Sequence, residues 1–126
     1  MERLFWICLA GAAGTGTRYL VVLWAAQRLG STFPYGTLIV NLAGSFVIAA
    51  LMHAAFVFAW SPNLRAVLTI GFVGGLTTYS SFNYETMRLF EDGAPAAAVV
   101  NLGLTLFGCF LAGWLGLVAA RELLGR

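Results

Sequence analysis

Apolar residues along this chain come in long runs separated by short polar breaks. Four runs stand out: Leu4 to Ala26, Thr37 to Trp60, Leu64 to Phe90 and Pro95 to Ala120. Each is close to the roughly 20 residues that an α-helix needs to cross the hydrocarbon core of a bilayer. The breaks, "QRLGSTFPYG", "SPN" and "EDGAP", each carry proline or glycine, which stop helices. The pattern predicts an all-α integral membrane protein: one domain over residues 1–126 with four transmembrane helices at about 4–26, 37–60, 64–90 and 95–120. No soluble domain, linker, low-complexity tract or internal repeat interrupts it.

The third run has an odd centre. "GGLTTYSSF", Gly74 to Phe82, sets two glycines before four hydroxyls and two aromatics. Glycine costs about 1 kcal/mol against alanine inside a helix, and Thr and Ser offer the backbone competing hydrogen bonds. The expectation is a helix broken at its middle. Non-helical backbone at membrane depth survives only where protein buries it or water lines it, and a break frees carbonyls for cations and N–H groups for anions. A plain glycine kink is the simpler reading.

Composition agrees with a membrane protein. Sixty per cent of residues are hydrophobic and 10% charged, against about 25% charged in a soluble domain, and mean hydropathy is +0.87. There is no lysine, and a net charge of +2 gives no basic face for nucleic acid. Cys8 and Cys109 lie in apolar runs without metal-type spacing and read as small buried hydrophobes. The N-terminal "MERLFWICLAGAAG" resembles a signal peptide, but apolar sequence resumes after Arg18, which favours a span. With four spans, Arg3, Arg65, Arg121 and Arg126 fall on one side, and Arg28 and Arg88 on the other beside Glu91 and Asp92. So weak an arginine bias predicts insertion in both orientations.

Four short helices enclose little space, so a conducting chain of this size needs a second copy. In "AGAAGTGT", Ala10 with Gly14 and Gly11 with Thr15 stand at i, i+4, which lets helices approach closely, within one subunit or between two. Two ionisable residues lie inside the runs, where they are costly unless they face protein or water: Arg18, which snorkels, pairs or attracts anions, and Glu85, just after the break. The neutral polar residues form a pattern. Asn41 and Ser45 share a helix face, Asn101, Thr105 and Cys109 make one mildly polar stripe, and Tyr79 and Phe82 stack if helix resumes after the break. Interhelical hydrogen bonding explains each alone. Together they form a track of donors and positive ring edges, with no acid before Glu85, suited to an anion or a small neutral solute.

The order of "GTGTRY", "GTLIVNLAGSF" and "GFVGGLTTYSSFNYE" resembles the small fluoride channels of the Fluc (CrcB) family. The third motif is the most specific, and the four-helix plan covers the whole chain. The resemblance implies an antiparallel, dual-topology homodimer in a bacterial inner membrane, needing no other protein partner and exporting fluoride passively to limit its toxicity. It implies two pores at the dimer interface, with Asn41, Tyr79, Phe82, Thr105 and Cys109 on the anion path and Arg18 and Glu85 as charges at its ends. It also implies one structural sodium ion, held by the backbone carbonyls of Gly74 and Thr77 from both copies. Two departures stand out: Tyr79 occupies a position that is usually Phe, and the fourth-run polar track, often Ser and Thr, here uses Thr105 and Cys109, with Gly113 where another hydroxyl would stand.

The runner-up is a small proton-coupled multidrug transporter, which needs a membrane-embedded acid; Glu85 is the one candidate, and the first run holds Arg18 instead. A third reading is a scaffold subunit that transports nothing. An enzyme is disfavoured, since His53 stands alone and no nucleophile–base pair or metal spacing is present.

Overall fold

The computed structural model describes residues 1–125, so the Arg126 assigned above to one membrane side lies outside the described residues. The chain is all-helical: α1 Glu2–Leu29, α2 Tyr35–Val57, α3 Pro62–Ala66, a π-helical stretch Val67–Val73, α4 Gly74–Leu76, α5 Tyr79–Glu91 and α6 Pro95–Leu124. Among these, α1, α2 and α6 are long and apolar enough to cross a membrane. The first, second and fourth runs extend two to four residues past their expected bounds or shift by a few, because cap geometry rather than hydropathy sets helix ends.

Those ends follow local chemistry. Pro95 occupies the first position of α6, where its missing N–H costs nothing. Ser61 accepts a hydrogen bond from the Leu64 N–H and so caps α3, with Pro62 behind it. Two helices end in the same hydrogen-bonded turn. After α5, the Ala94 N–H reaches the Leu89 carbonyl and the Gly93 N–H reaches Phe90, with Gly93 at φ 77°. After α2, Trp60 reaches Ala55 and Ala59 reaches Phe56, with Ala59 at φ 49°. Both are Schellman caps, but only the first has glycine in the left-handed position.

Packing follows two seams. Helix α2 lies along α6, and α1 lies along the third run, from the π stretch through α4. The second seam answers the question raised by "AGAAGTGT". Gly14 is buried with the Phe72 carbonyl against it, and a Cβ added at Gly75 would stand 2.5 Å from the Gly11 carbonyl. The small-residue stripe is therefore consumed by packing inside one subunit.

Candidate functional site: a polar cavity at the break of the third run

The third run is broken where its composition predicts. Helix α4 ends at Leu76, Thr77 and Thr78 are extended (φ −88°, ψ 156° and φ −152°, ψ 121°), and α5 begins at Tyr79. This is more than a glycine kink, because the helical hydrogen bonds are redirected. The Thr78 N–H, which in a continuous helix would bond to the Gly74 carbonyl, donates instead to Asn41 Oδ1 at 2.8 Å. Asn41 Nδ2 donates back to the Thr78 carbonyl at 2.9 Å. The Ser81 N–H, which would serve the Thr77 carbonyl, donates to Thr78 Oγ1 at 3.2 Å and caps α5. Thus the regular donors of the Gly74 and Thr77 carbonyls are both engaged elsewhere.

Around the break lies a cavity of about 310 Å³, lined among others by Asn41, Ser45, Thr77, Tyr79, Thr105 and Cys109. Three helical runs, distant in sequence, meet here. Gly44 on α2 leaves room for Thr77, whose methyl group occupies the place a Cβ at Gly44 would need. Asn41 and Thr105 are buried. The Thr105 hydroxyl is buried without a hydrogen-bond partner among the described residues. None of the lining residues is acidic or basic.

The expected site residues separate into groups. Asn41, Tyr79, Thr105 and Cys109 share the cavity. Phe82 does not line it: it is 2% exposed and packs edge-on to the Tyr79 ring at 5.5 Å, whereas Tyr79 is 73% exposed. Asn101, on the same stripe as Thr105, donates to Thr86 Oγ1 at 2.8 Å, and Thr86 donates to the Phe82 carbonyl at 2.7 Å. That residue ties α6 to α5. Glu85 faces a second cavity of about 310 Å³ with Thr37, Arg88 and Asp92. Its Oε1 accepts from Thr37 Oγ1 at 2.8 Å, and its Oε2 is buried without a partner among the described residues. Arg88 and Asp92 pair loosely at 3.7 Å, both exposed. Arg18 is half-buried and makes no ion pair among the described residues.

Sequence reasoning did not single out Thr78 or Thr37. A Thr immediately before a helical run is a capping signal, so Thr78 was readable in that role. The pairing of Thr37 with Glu85, 48 positions apart, has no local signature.

Comparison with known proteins settles the family. The family described as CrcB-like protein, Camphor Resistance (CrcB), matches residues 5–117. The chain belongs to this family. Relatives agree along nearly the whole length. It is 54% identical over 125 residues, 98% of both chains, to a protein of Sorangium cellulosum (strain So ce56) named "Fluoride-specific ion channel FluC". It is 48% identical over 126 residues to one of Anaeromyxobacter sp. (strain K), covering 99% of this chain and 100% of that one. A third, from Citrifermentans bemidjiense, is 46% identical over 124 residues, 98% of this chain and 100% of the relative. Both carry the same name. This CrcB-family chain is an integral membrane protein with bacterial relatives.

Proposed function

We propose that the chain is one subunit of a fluoride-selective channel that lets fluoride leave the cytoplasm passively. One observation carries the reading: a cavity of uncharged hydrogen-bond donors, with spare capacity, at the break of a membrane-buried segment, in a chain whose relatives are named fluoride-specific ion channels. Only one of the two Asn41 N–H groups is used by Thr78, so the other can donate to a partly dehydrated anion. Thr105 offers an unspent hydroxyl, and Tyr79 a ring edge or phenol. An array of neutral donors binds an anion less tightly than a fixed cation does, and conduction requires an escapable site. An inside-negative potential drives an anion outward with about 2.3 kcal/mol per 100 mV, so no coupled energy source is needed.

The path runs between the two cavities. Along α2, Thr37 lines one and Asn41 the other, a single helical turn apart. Along α5, Phe82 falls between Tyr79 of the first cavity and Glu85 of the second. Phe82 thus marks the constriction, and Glu85 and Arg18 set the charge at the path's ends.

The working form is an antiparallel homodimer in which the third run crosses as a fourth, broken span. Tyr79, Ser80 and Asn83 are exposed on the subunit, and polar groups facing lipid at this depth are costly; a second copy covers them. The weak arginine bias supports insertion both ways. The freed Gly74 and Thr77 carbonyls fit a hard monovalent cation. They are neutral oxygen donors, Gly74 is exposed, and no cluster of His, Cys, Asp or Glu among the described residues competes for a metal. A sodium ion held there by both copies adds positive charge at the dimer centre.

The drug-transporter alternative loses its support, since the relatives are named as channels and the one acid it needs is engaged by Thr37. The family is one of channels and not of enzymes. The deciding experiment is efflux from proteoliposomes holding only this protein, with valinomycin releasing the counter-charge and electrodes reporting fluoride and chloride. Fast fluoride loss with chloride retained supports the reading. Absence of fluoride loss from well-folded dimer, both in this chain and in Tyr79→Phe, overturns it.

A further inference from the structure

The cavity wall holds a group that the conduction of fluoride does not require: a thiol. Cys109 stands one turn beyond Thr105 on α6, and both line the cavity. Cys109 is partly exposed and makes no disulfide among the described residues. Thr105 is 7% exposed, lines the cavity and has a buried hydroxyl without a partner among the described residues. A buried hydroxyl without a protein partner is normally satisfied by water or a ligand. The cavity is therefore a place where polar solutes meet Cys109, and a thiol that meets water can form the nucleophilic thiolate. The other cysteine, Cys8 on α1, lines neither this cavity nor the one that Glu85 faces.

We propose that Cys109 is a modification site inside the anion path, open to small thiol-reactive solutes such as alkyl thiosulfonates and low-molecular-weight disulfides, and that a group attached to its sulfur gates conduction by its charge. The proposal rests on the fluoride-channel reading for its consequence, but not for the modification itself. With a thiosulfonate, the Cys109 thiolate attacks the sulfenyl sulfur. A sulfur–sulfur bond forms, the bond to the sulfonyl sulfur breaks, and a sulfinate leaves with the electron pair. The thiol proton goes to solvent, and the protein sulfur is oxidised as the sulfonyl sulfur is reduced. A thiol reductant removes the adduct. Its thiolate attacks the attached sulfur, and the bond to the Cys109 sulfur breaks. Cys109 leaves as thiolate and takes a proton from solvent, and the reductant carries the adduct away as a disulfide. The charge of the attached group then acts on fluoride within a few ångströms in a medium where charges are poorly screened.

The test uses the full-length protein with Cys8→Ser, so that Cys109 is the sole thiol. In proteoliposomes it is treated with the 2-sulfonatoethyl, the methyl or the 2-aminoethyl methanethiosulfonate. Mass spectrometry reads labelling and an electrode reads fluoride efflux. The expected result is labelling at Cys109 by all three, with efflux falling at least about tenfold for the anionic adduct and less for the neutral and cationic ones. Dithiothreitol should restore efflux, and the chain that also carries Cys109→Ser should show no change on treatment. An unlabelled Cys109 in folded protein overturns the proposal. So does stoichiometric labelling that leaves efflux unchanged, or inhibition that ignores the sign of the adduct. If untreated protein conducts no fluoride while Cys109 is labelled, the channel reading fails and the modification site stands.

Discussion

Asn41 and the backbone of Thr78 exchange two hydrogen bonds, at 2.8 and 2.9 Å, and so a side chain of α2 takes the place of the helical partner that the Thr78 N–H loses at the break. A primary amide can do this because it presents a donor and an acceptor side by side, as a peptide group does.

Asn41→Ala should leave the Thr78 N–H, in a buried residue, without its partner, while the Thr78 carbonyl keeps the first hydrogen bond of α5. An orphaned buried group costs about 1–3 kcal/mol, so thermal unfolding in detergent should shift down by several degrees. Asn41→Asp keeps the acceptor, loses the donor and brings negative charge to the cavity. Its fluoride efflux should fall at least about tenfold. Wild-type efflux from Asn41→Asp would take the anion path away from this residue.

If the proposed sodium joins two copies through the Gly74 and Thr77 carbonyls, exchanging it for a large organic cation during purification should weaken the dimer or slow efflux. Size-exclusion chromatography and the electrode assay read the two effects. Dimer stability and efflux that are both blind to sodium would sink the assignment of those carbonyls.

Gly75→Leu should prevent α1 from seating on the third run. The Cβ alone would meet the Gly11 carbonyl and stand 3.1 Å from the Thr15 N–H, and both are backbone atoms that cannot swing aside. Folded, monodisperse protein should be lost. Gly103→Ala, at a position with open space around it, is the control and should fold normally.

Ala59→Gly should stabilise. Ala59 holds the left-handed position of the cap that ends α2, where an L-residue with a Cβ is disfavoured by about 1 kcal/mol. The thermal midpoint should rise by a few degrees, with efflux unaltered. A fall would show that the methyl group makes a contact worth more than the strain.

Much of this is legible in the sequence. The long apolar runs gave α1, α2 and α6, and the clash between "GGLTT" and helix propensity located the break to within a residue or two. Four of the five expected path residues share one cavity, because polar side chains in apolar helices turn toward one another. What was not legible depended on pairing across the chain. The stripe Asn101, Thr105 and Cys109 looks uniform in sequence, yet Asn101 is spent on Thr86 while the Thr105 hydroxyl has no partner among the described residues. The small residues of α1 fit an intersubunit seam equally well until Gly75 is seen against Gly11. The left-handed Ala59 has no sequence signal, since alanine rarely adopts that conformation.

The break also bears on how the chain is made. Helix α5 has 13 residues and carries Glu85, Arg88 and Glu91, well short of the roughly 20 apolar residues that partition into lipid unaided. The insertion machinery therefore receives a third run that cannot hold itself in the bilayer. Its upper half has α1 to lean on as soon as it emerges, but α5 packs chiefly on α6, which is synthesised last. Until α6 arrives, α5 is a passenger without a seat. A nascent chain halted before Pro95 should leave α5 accessible to protease or glycosylation, and release of the complete chain should bury it.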